Sequence, residues 1–217
     1  MARVSAEERR RQLVAAAFRV IGRDGFAGVT TRRVCAEAGA PLAAFHYCFA
    51  SKQELLAELT TQSMDALLSA QHEMALRATV EATLRAELRA YWKTVEDDPN
   101  RESVLMALTQ HALQDPSLDG VAQRQYKAYH ATARAALQRI ATGFGVTWSM
   151  PVEDVARMLV VVTDGVTLAW LVDRDSTAAR SALDAFAAQL ATLAHQPHTD
   201  GESPPPPSVG ESYVSPR

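Results

Sequence analysis

Residues 30–52 read TTRRVCAEAGAPLAAFHYCFASK. Thr30 can cap a short helix, and Gly39 can end that helix in the left-handed conformation because it has no Cβ. Pro41 is typical of the start of a second helix, since a first-turn position needs no backbone donor. Two short helices joined by a turn that contains glycine predict a helix-turn-helix motif at about residues 30–49.

Helix signals continue on both sides of this motif. Capping-box patterns at residues 5–8 and 51–54 predict two helices, one that ends near Gly25 and one that runs to about Leu76. Asp-Pro pairs and glycines predict further helices at about residues 80–97, 99–114 and 116–142, from Pro151 onward, and at 177–194. The chain is therefore expected to be all-α.

Charge is divided unevenly along the 217 residues, whose net charge is −3. Residues 1–53 contain nine Lys and Arg against four Asp and Glu, which gives +5, and the remainder carries −8. A basic N-terminal quarter on an acidic body is expected when only one end of a protein meets nucleic-acid phosphate. After residue 195 the chain is rich in Pro, Ser and Gly, so residues 196–217 are expected to be a disordered tail.

The cysteines and the apolar segments indicate a cytoplasmic protein. Cys35 and Cys48 both lie in predicted helices, so a disulfide framework is not expected. The N-terminus is charged where a signal peptide would be apolar. The most apolar run, residues 158–172, is short for a membrane span and contains Asp164, so no membrane partner is expected.

Motifs for catalysis, metals or cofactors are not recognisable in the sequence. His72, His111 and His130 are scattered, without a nucleophile at a recognisable spacing or a Gly-rich phosphate loop. His46 and Cys48 point in different directions from one helix, so they make a poor metal site. We therefore expect no enzyme, no metal and no cofactor.

With these elements in order, residues 6–60 resemble the TetR family of bacterial one-component transcriptional repressors. The matching residues are the apolar first helix with Gly25-Phe26, Thr30 at a cap, Ala38-Gly39 at the turn, and Phe49-x-Ser51-Lys52 followed by Leu55-Leu56. The resemblance implies an all-helical homodimer that binds a palindromic operator and releases it when a small molecule enters each subunit. Pro41, His46 and Cys48 depart from the family pattern, so the operator sequence cannot be transferred from relatives.

The resemblance and the helix pattern together divide the chain into an arm, two domains and a tail. Residues 1–5 are the expected flexible arm, and residues 6–55 form a three-helix helix-turn-helix DNA-binding domain. Residues 56–195 form a helical domain for effector binding and dimerisation, which is followed by the tail at 196–217.

Candidate DNA contacts lie around the helix-turn-helix. Residues beside helix N-termini are predicted to contact phosphate, and they are Thr30, Thr31, Arg32, Arg33 and Lys52. Residues on the exposed face of the second short helix are predicted to enter the groove, and they are Leu42, Ala43, Ala44, His46 and Tyr47. The first three carry no hydrogen-bond code, so polar readout is assigned to the last two.

The helix from Pro151 is apolar on two neighbouring faces, and both need cover. One face carries Val155, Leu159, Val162, Val166 and Ala169, and the other carries Met158, Val161, Gly165, Leu168 and Val172. The last two helices are therefore expected to pair with those of a second subunit in a four-helix bundle. The predicted interface residues are Val155, Leu159, Val162, Val166, Leu183, Phe186 and Leu190.

The body is also expected to hold an effector pocket for a small molecule that is largely apolar. Large apolar or amphipathic side chains with polar tips are typical of such pockets. The candidates are Trp92, Met106, Gln110, Tyr126, Tyr129, Trp148, Met158 and Trp170. Asp164 lies in an apolar helix and needs a partner, either an arginine such as Arg157 or a cationic effector.

Two other functions stay open from sequence alone. The chain can be a helical ligand-binding or scaffolding protein whose N-terminal module binds a protein, although the +5 charge of residues 1–53 disfavours this. It can also be a redox-sensing regulator that uses Cys35 or Cys48. The effector, the operator and the regulated genes, as well as repression rather than activation, are not given by the sequence.

Overall fold

The computed structural model describes residues 5–70 and 75–196, with side chains for residues 5–63 and 75–196. Apart from residues 5 and 196, the predicted flexible arm and the Pro-rich tail lie outside the described residues. Within the described part the chain is almost wholly helical, which confirms the predicted all-α class.

Nine α-helices and two very short strands occur in the described residues. The helices are α1 Ala6–Asp24, α2 Thr31–Glu37, α3 Leu42–Cys48, α4 Lys52–Ala70, α5 Val80–Asp97, α6 Pro99–Gln114, α7 Val121–Phe144, α8 Val152–Asp173 and α9 Ser176–Ala191. The strands β1 Thr147–Trp148 and β2 Ala194–His195 pair antiparallel. Single turns of 3-10 helix lie at Phe26–Gly28 and Pro116–Leu118.

Side-chain caps fix most of the helix starts that the sequence predicts. The Glu8 N–H donates to Ser5 Oγ at 3.1 Å, and the Glu54 N–H donates to Ser51 Oγ at 3.1 Å. The Arg101 N–H donates to the Asp98 carboxylate at 2.9 Å, next to the first-turn proline of α6. Each bond satisfies a backbone donor that the first turn of a helix leaves without a partner.

The helix-turn-helix forms as expected from its own residues. Thr30 Oγ1 accepts from the Arg33 N–H at 3.2 Å, and Gly39 ends the turn at φ +60°. Pro41 is in an extended conformation immediately before α3, which begins at Leu42.

The prediction that α4 continues to Leu76 is wrong at its C-terminal end. Residues 75–77 are not helical, and residues 71–74 lie outside the described part of the chain. The Arg77 N–H donates to Thr83 Oγ1 at 2.9 Å, so that amide bonds to a side chain of α5. The Leu76 side chain lies where a Cβ on Gly143 of α7 would be, so this glycine leaves the space that Leu76 occupies.

Two other helix bounds also differ from the prediction. The helix expected from Pro116 begins at Val121, because the Asp115 carboxylate accepts from the Ser117 N–H and Gly120 adopts φ +75°. The last helix ends at Ala191 and not at Ala194. Residues 194–195 pair with β1 instead, an exchange of hydrogen bonds that helical periodicity cannot indicate.

Two clusters of buried side chains hold the helices together. The N-terminal cluster joins α1–α4 to α6, and it includes Leu13, Phe45, Leu55, Val104 and Leu108. The body cluster joins α5, α7, α8 and α9, and it includes Leu88, Trp92, Leu137, Val160 and Leu183. The N-terminal helices therefore rest directly on α6.

Helix α8 is long and apolar enough to cross a membrane if length and composition alone are counted. The core helix of a soluble protein passes the same test, and α8 packs against α7 and α9. We therefore treat α8 as a core helix with one uncovered face.

The left-handed turn before α3 gives a test of backbone strain. Gly39→Ala is expected to lower the free energy of unfolding by about 1–2 kcal/mol, because a Cβ disfavours positive φ. No heavy atom lies within 4 Å of the Cβ position at Gly39 or at Gly145, which has φ +63° at the end of α7. Urea unfolding of both alanine variants should show similar losses.

Gly39→Asn is the control for this test, because asparagine tolerates the left-handed region better than alanine. It is expected to recover part of the stability. Equal stability of Gly39→Ala and the unaltered chain would contradict the strain assigned to this turn.

Candidate DNA-binding face and effector cavity

Helix α3 has one buried and one exposed face. Phe45 and Cys48 point into the N-terminal cluster, where they are 1% and 7% exposed. The residues predicted to enter the DNA groove are exposed or half-exposed, with Tyr47 at 78% and Leu42 at 40%. Ala43 and His46 are also exposed, whereas Ala44 is half-buried. The described surface of α3 thus presents the predicted residues together.

The predicted phosphate contacts lie at the starts of α2 and α4. Thr30 caps α2 and is exposed, as are Arg32 and Arg33 in its first turn. Arg33 also lies 3.6 Å from the Asp24 carboxylate, so it is partly neutralised. Lys52 begins α4 and is half-buried.

Arg10 of α1 clamps the C-terminal end of α3. Its guanidinium donates to the Cys48 carbonyl, and it also donates to the carboxylates of Glu54 and Glu58 at 3.2 Å each. It also lies 4.3 Å from the ring centroid of Phe49. A cation at the C-terminus of a helix is favourable because the last carbonyls carry partial negative charge. Sequence reasoning missed this clamp, because its partners lie 38 to 48 residues away.

Glu54 is held on two sides in this clamp. Its carboxylate accepts from the Ala50 N–H at 2.8 Å and from Arg10 at 3.2 Å. The Ala50 amide, together with Arg10, lowers the pKa of Glu54 below its usual value. The position of α3 relative to α1 and α4 is therefore fixed by ionic hydrogen bonds in addition to apolar packing.

A cavity of about 120 Å³ lies inside the body, between α5, α6, α7 and α8. One water needs roughly 10–15 Å³ by this kind of measure, so the space suits a small organic molecule. Most of its wall surface is apolar, and half of its lining residues supply it: Leu84, Leu88, Leu105, Ala133, Ala136, Leu137, Ile140, Leu159 and Val160. Its polar or ionisable lining residues are Glu87, Tyr91, Thr94, Arg101, Glu102, Tyr129, Thr132, Thr163 and Asp164.

Of the eight predicted pocket residues, Tyr129 lines this cavity. Tyr126 reaches its edge by donating to Asp164, while Trp92 and Trp170 pack on each other in the body cluster. The other four are placed elsewhere: Gln110 and Met158 are exposed, and Met106 and Trp148 are half-buried away from the lining. The prediction relied on residue type alone, and large apolar or amphipathic residues also occur in the core and on the surface.

Three carboxyl groups face the cavity from three helices. Glu87 of α5 forms an ion pair with Arg139 of α7, and Glu102 of α6 lies 3.5 Å from Arg101. Asp164 of α8 accepts from the Tyr126 hydroxyl at 2.6 Å. No salt bridge to Asp164 occurs in the part of the chain that the structure describes, so the predicted pairing with Arg157 is not formed there. Burial raises the pKa of all three carboxyls, since it disfavours their charged form.

The tyrosine hydroxyls around the cavity already have partners. Tyr91 Oη lies 2.8 Å from Thr167 Oγ1, and Tyr129 Oη accepts from Gln125 Nε2 at 2.9 Å. Burial raises the pKa of Tyr129 to about 12, so this hydroxyl stays neutral near pH 7. Both rings are therefore held in place with their hydroxyls engaged.

The exposed apolar face of α8 differs from the one chosen as the dimer interface. Val155, Leu183 and Leu190 are at most 1% exposed within their own subunit, so they are covered before any partner arrives. Leu159, Val162, Val166 and Phe186 are half-buried. The neighbouring face carries the exposed residues, with Val161 at 63%, Leu168 at 57% and Val172 at 80%. Both faces share one periodicity, and packing against α7 and α9 decides which is covered.

The cysteines are buried, and no group of metal-binding residues occurs among the described positions. Burial raises the pKa of the Cys35 thiol and so disfavours its reactive thiolate form.

Comparison with known proteins assigns this arrangement to a family. The profile described as "Bacterial regulatory proteins, tetR family" matches residues 13–59, which include α2 and α3. The profile described as "BetI-type transcriptional repressor, C-terminal" matches residues 80–195, more than half of the chain. The chain belongs to the TetR family of bacterial transcriptional repressors.

Individual relatives of this TetR-family chain agree with the assignment. The nicotine-responsive transcriptional repressor HdnoR of Paenarthrobacter nicotinovorans is 28% identical over 172 residues, covering 79% of this chain and 88% of its own. The multidrug binding protein EbrR, crystallised with ethidium, is 27% identical with a TM-score of 0.60, covering 85% of this chain and 99% of its own. A TetR transcription regulator of Haloarcula marismortui shares the fold at 20% identity, with a TM-score of 0.70 and coverage of 87% and 100%.

The Arg10 clamp predicts a specific loss of stability in this TetR-family module. Arg10→Gln is expected to lower the free energy of unfolding by about 1–2 kcal/mol, because it removes two ionic contacts and a bond to the end of α3. Arg11→Gln is the matched control, since Arg11 pairs with Glu7 and Glu8 on the surface of the same helix. Its cost is expected to stay within about 0.5 kcal/mol.

Urea unfolding measures stability, and fluorescence anisotropy with duplex DNA measures binding. Arg10→Gln should also weaken DNA binding, because α3 loses its fixed orientation. Equal behaviour of the Arg10 and Arg11 variants in both measurements would contradict the clamp.

Proposed function

We propose that this TetR-family repressor is a homodimer that leaves a palindromic operator when a small molecule enters the cavity of each subunit. The observation that carries the proposal is the double role of α6. Val104 and Leu108 of α6 belong to the N-terminal cluster, whereas Glu102 and Leu105 line the cavity. A ligand that shifts α6 therefore shifts the support of residues 6–55, the DNA-binding module.

Two contacts near opposite ends of α6 support this coupling. The Asn100 side chain approaches Gly22 of α1 so closely that a Cβ on Gly22 would overlap it. Near the other end, the Phe26 ring stacks on the His111 ring with centroids 4.5 Å apart. Close-packed contacts of this kind transmit displacement, because protein interiors are nearly incompressible. We therefore assign the coupling to α6, which packs on the N-terminal cluster, and not to a continuous helix from Ser51 to Leu76, because residues 75–77 are not helical.

The DNA contacts are proposed from position, exposure and the family assignment. In this proposal residues 6–55 are the DNA-binding domain, and phosphate is held by Thr30, Thr31, Arg32, Arg33 and Lys52. The exposed face of α3 enters the major groove through Leu42, Ala43, Ala44, His46 and Tyr47. Backbone N–H groups at the start of α2 add to the phosphate contacts, because helix N-termini attract anions.

The cavity is proposed as the effector site on three grounds. It is a cavity that α6 shares with α5, α7 and α8, and most of its wall surface is apolar. HdnoR is described as nicotine-responsive, and EbrR was crystallised with imidazole, ethidium and malachite green, so similar proteins take small organic molecules. We propose that the ligand is bound without being transformed, and recovery of the released ligand chemically unchanged would support this.

The dimer is proposed to form through the uncovered face of α8, with α9 beside it. Val161, Leu168 and Val172 are exposed on this face, and each would bury apolar area against its counterpart. A two-fold dimer places two copies of α3 on matched half-sites about 34 Å apart. The protein is placed in the cytoplasm, where operator DNA lies, and buried thiols disfavour the redox alternative.

DNA selected from a random pool tests the regulatory function and the phosphate contacts together. An inverted repeat is expected in the selected sequences, and failure to enrich any sequence would contradict the function. On the selected DNA, Lys52→Ala is expected to reduce the salt slope of binding by about one counterion per subunit.

Lys93→Ala is the matched control for charge, because Lys93 lies on α5 and pairs with Asp97 on the surface of the body. It is expected to leave the slope unchanged. A slope that Lys52→Ala does not alter would refute the phosphate contact at α4.

The dimer face predicts a change of mass in solution. Val161→Glu is expected to convert the dimer to a monomer, because a carboxylate would be buried at the interface without a partner. Leu113→Glu is the control, since Leu113 is 64% exposed on α6 and Val161 is 63% exposed on α8. Light scattering after size-exclusion chromatography measures the mass, and a dimer that survives Val161→Glu would contradict this face.

A further inference from the structure

The carboxyl groups of the cavity indicate the charge of its ligand, an inference that rests on the cavity being the effector site. Glu87 is neutralised by Arg139, so it adds no net charge. Glu102 and Asp164 remain, with Arg101 as the single cationic side chain among the lining residues. The lining and its direct ion-pair partner Arg139 thus carry a net charge of −1 when the three carboxyls are ionised.

Asp164 is the group whose charge is least compensated. Its hydrogen-bond partner in the described part of the chain is a neutral tyrosine hydroxyl, and Arg101 is engaged with Glu102. His130 lies near Asp164, but burial lowers the pKa of His130 and so favours its neutral form. A carboxylate in an apolar site costs free energy unless a cation accompanies it, or else it takes up a proton. A cationic ligand would remove that cost, whereas an anionic ligand would increase it.

The aromatic residues of the lining suit the same ligand. Tyr91 and Tyr129 have their hydroxyls bonded to Thr167 and Gln125, so their rings are the part left to contact a guest. The face of an aromatic ring attracts a cation, and this attraction grows when the cation is removed from water. The apolar wall around these rings would contact the uncharged part of the ligand.

A buried hydroxyl supplies an independent sign that the cavity takes a polar guest. Thr132 lines the cavity and is 4% exposed. Its Oγ1 is buried and has no hydrogen-bond partner among the described residues. Buried polar groups in proteins are nearly always satisfied, so this oxygen is available to a ligand.

We propose that the cavity binds an organic monocation with an apolar body, whose positive charge lies against Asp164 and Glu102 within reach of the rings of Tyr91 and Tyr129. The cavity selects cations because the two carboxylates repel an anion and are stabilised by a cation. The apolar wall limits the size of the uncharged part of the ligand. Arg101 holds Glu102 at the start of α6, so a cation that draws Glu102 toward Asp164 acts on the helix that supports the DNA-binding module.

Three probes of similar size test the charge preference on the unaltered full chain. Benzyltrimethylammonium is a permanent cation, neopentylbenzene is its uncharged isostere, and phenylacetate is an anion. In calorimetric titration the cation is expected to bind at least about tenfold more tightly than the isostere, because a desolvated cation interacts favourably with carboxylates and aromatic rings. The proposal is overturned if the isostere or phenylacetate binds as tightly as the cation, or if the cation does not bind.

Isosteric variants locate the charge. Asp164→Asn and Glu102→Gln are each expected to reduce cation affinity by about tenfold while leaving affinity for neopentylbenzene unchanged. Glu153→Gln is the matched control, because Glu153 lies on the same helix as Asp164 with a side chain that is 65% exposed. Circular dichroism checks the fold of each variant. A cation preference that survives in both cavity variants overturns the assignment.

Operator release is read separately on the selected DNA, so that the two proposals fail in different ways. Cation preference that depends on Asp164, without release of DNA, supports the ligand class and contradicts the effector function. Release of DNA by the uncharged isostere in place of the cation supports the effector function and overturns the ligand class.

Discussion

The packing of α6 against two different neighbours is the constraint on which the rest of the molecule depends. Val104, Leu108 and Ala112 are buried in the N-terminal cluster, and Glu102 and Leu105 face the cavity from adjacent positions of the same helix. Close-packed side chains tie α6 to the N-terminal cluster on one side, while the cavity lies on its other side. The position of the DNA-binding module and the shape of the cavity are therefore two aspects of one packing arrangement.

The N-terminal module is held more firmly than a small three-helix domain would be alone. Its apolar core continues into α6 and the start of α7, and Arg10 adds ionic bonds among α1, α3 and α4. Helix α3 has only seven residues and so has little stability of its own, because short helices gain few backbone hydrogen bonds. Its geometry is set by neighbours, so changes in those neighbours reach it without unfolding it.

The sequence predicted the features that depend on nearby residues. Caps at Ser5, Thr30, Ser51 and Asp98 and the left-handed Gly39 act over three or four residues, and the structure contains all of them. The cavity was predicted poorly because its location depends on how four helices cross. Leucine, alanine and carboxyl groups form most of its wall, and the large aromatic residues chosen from the sequence lie mainly in the body cluster.

The exposed apolar face of α8 shows the same limit in another form. Val155 and Val161 belong to two stripes of equal periodicity, and the contacts with α7 and α9 cover one stripe and leave the other open. The Arg10 clamp had no local signal at all, since its partners lie dozens of residues away in sequence. Local chemistry thus determines which elements form, and tertiary packing determines which of their faces meet.

The exposed face of α3 also bears on how such a protein can diverge. Leu42, Ala43, His46 and Tyr47 project from the core, so they can be exchanged at little cost in folding. The cavity wall is built from a separate set of residues on α5 to α8. Under the proposed function, mutation of α3 would retarget the protein to a new promoter while its chemical sensitivity is kept, and mutation of the cavity wall would retune that sensitivity while the promoter is kept. A gene duplicate would have two independent routes to a new regulatory circuit.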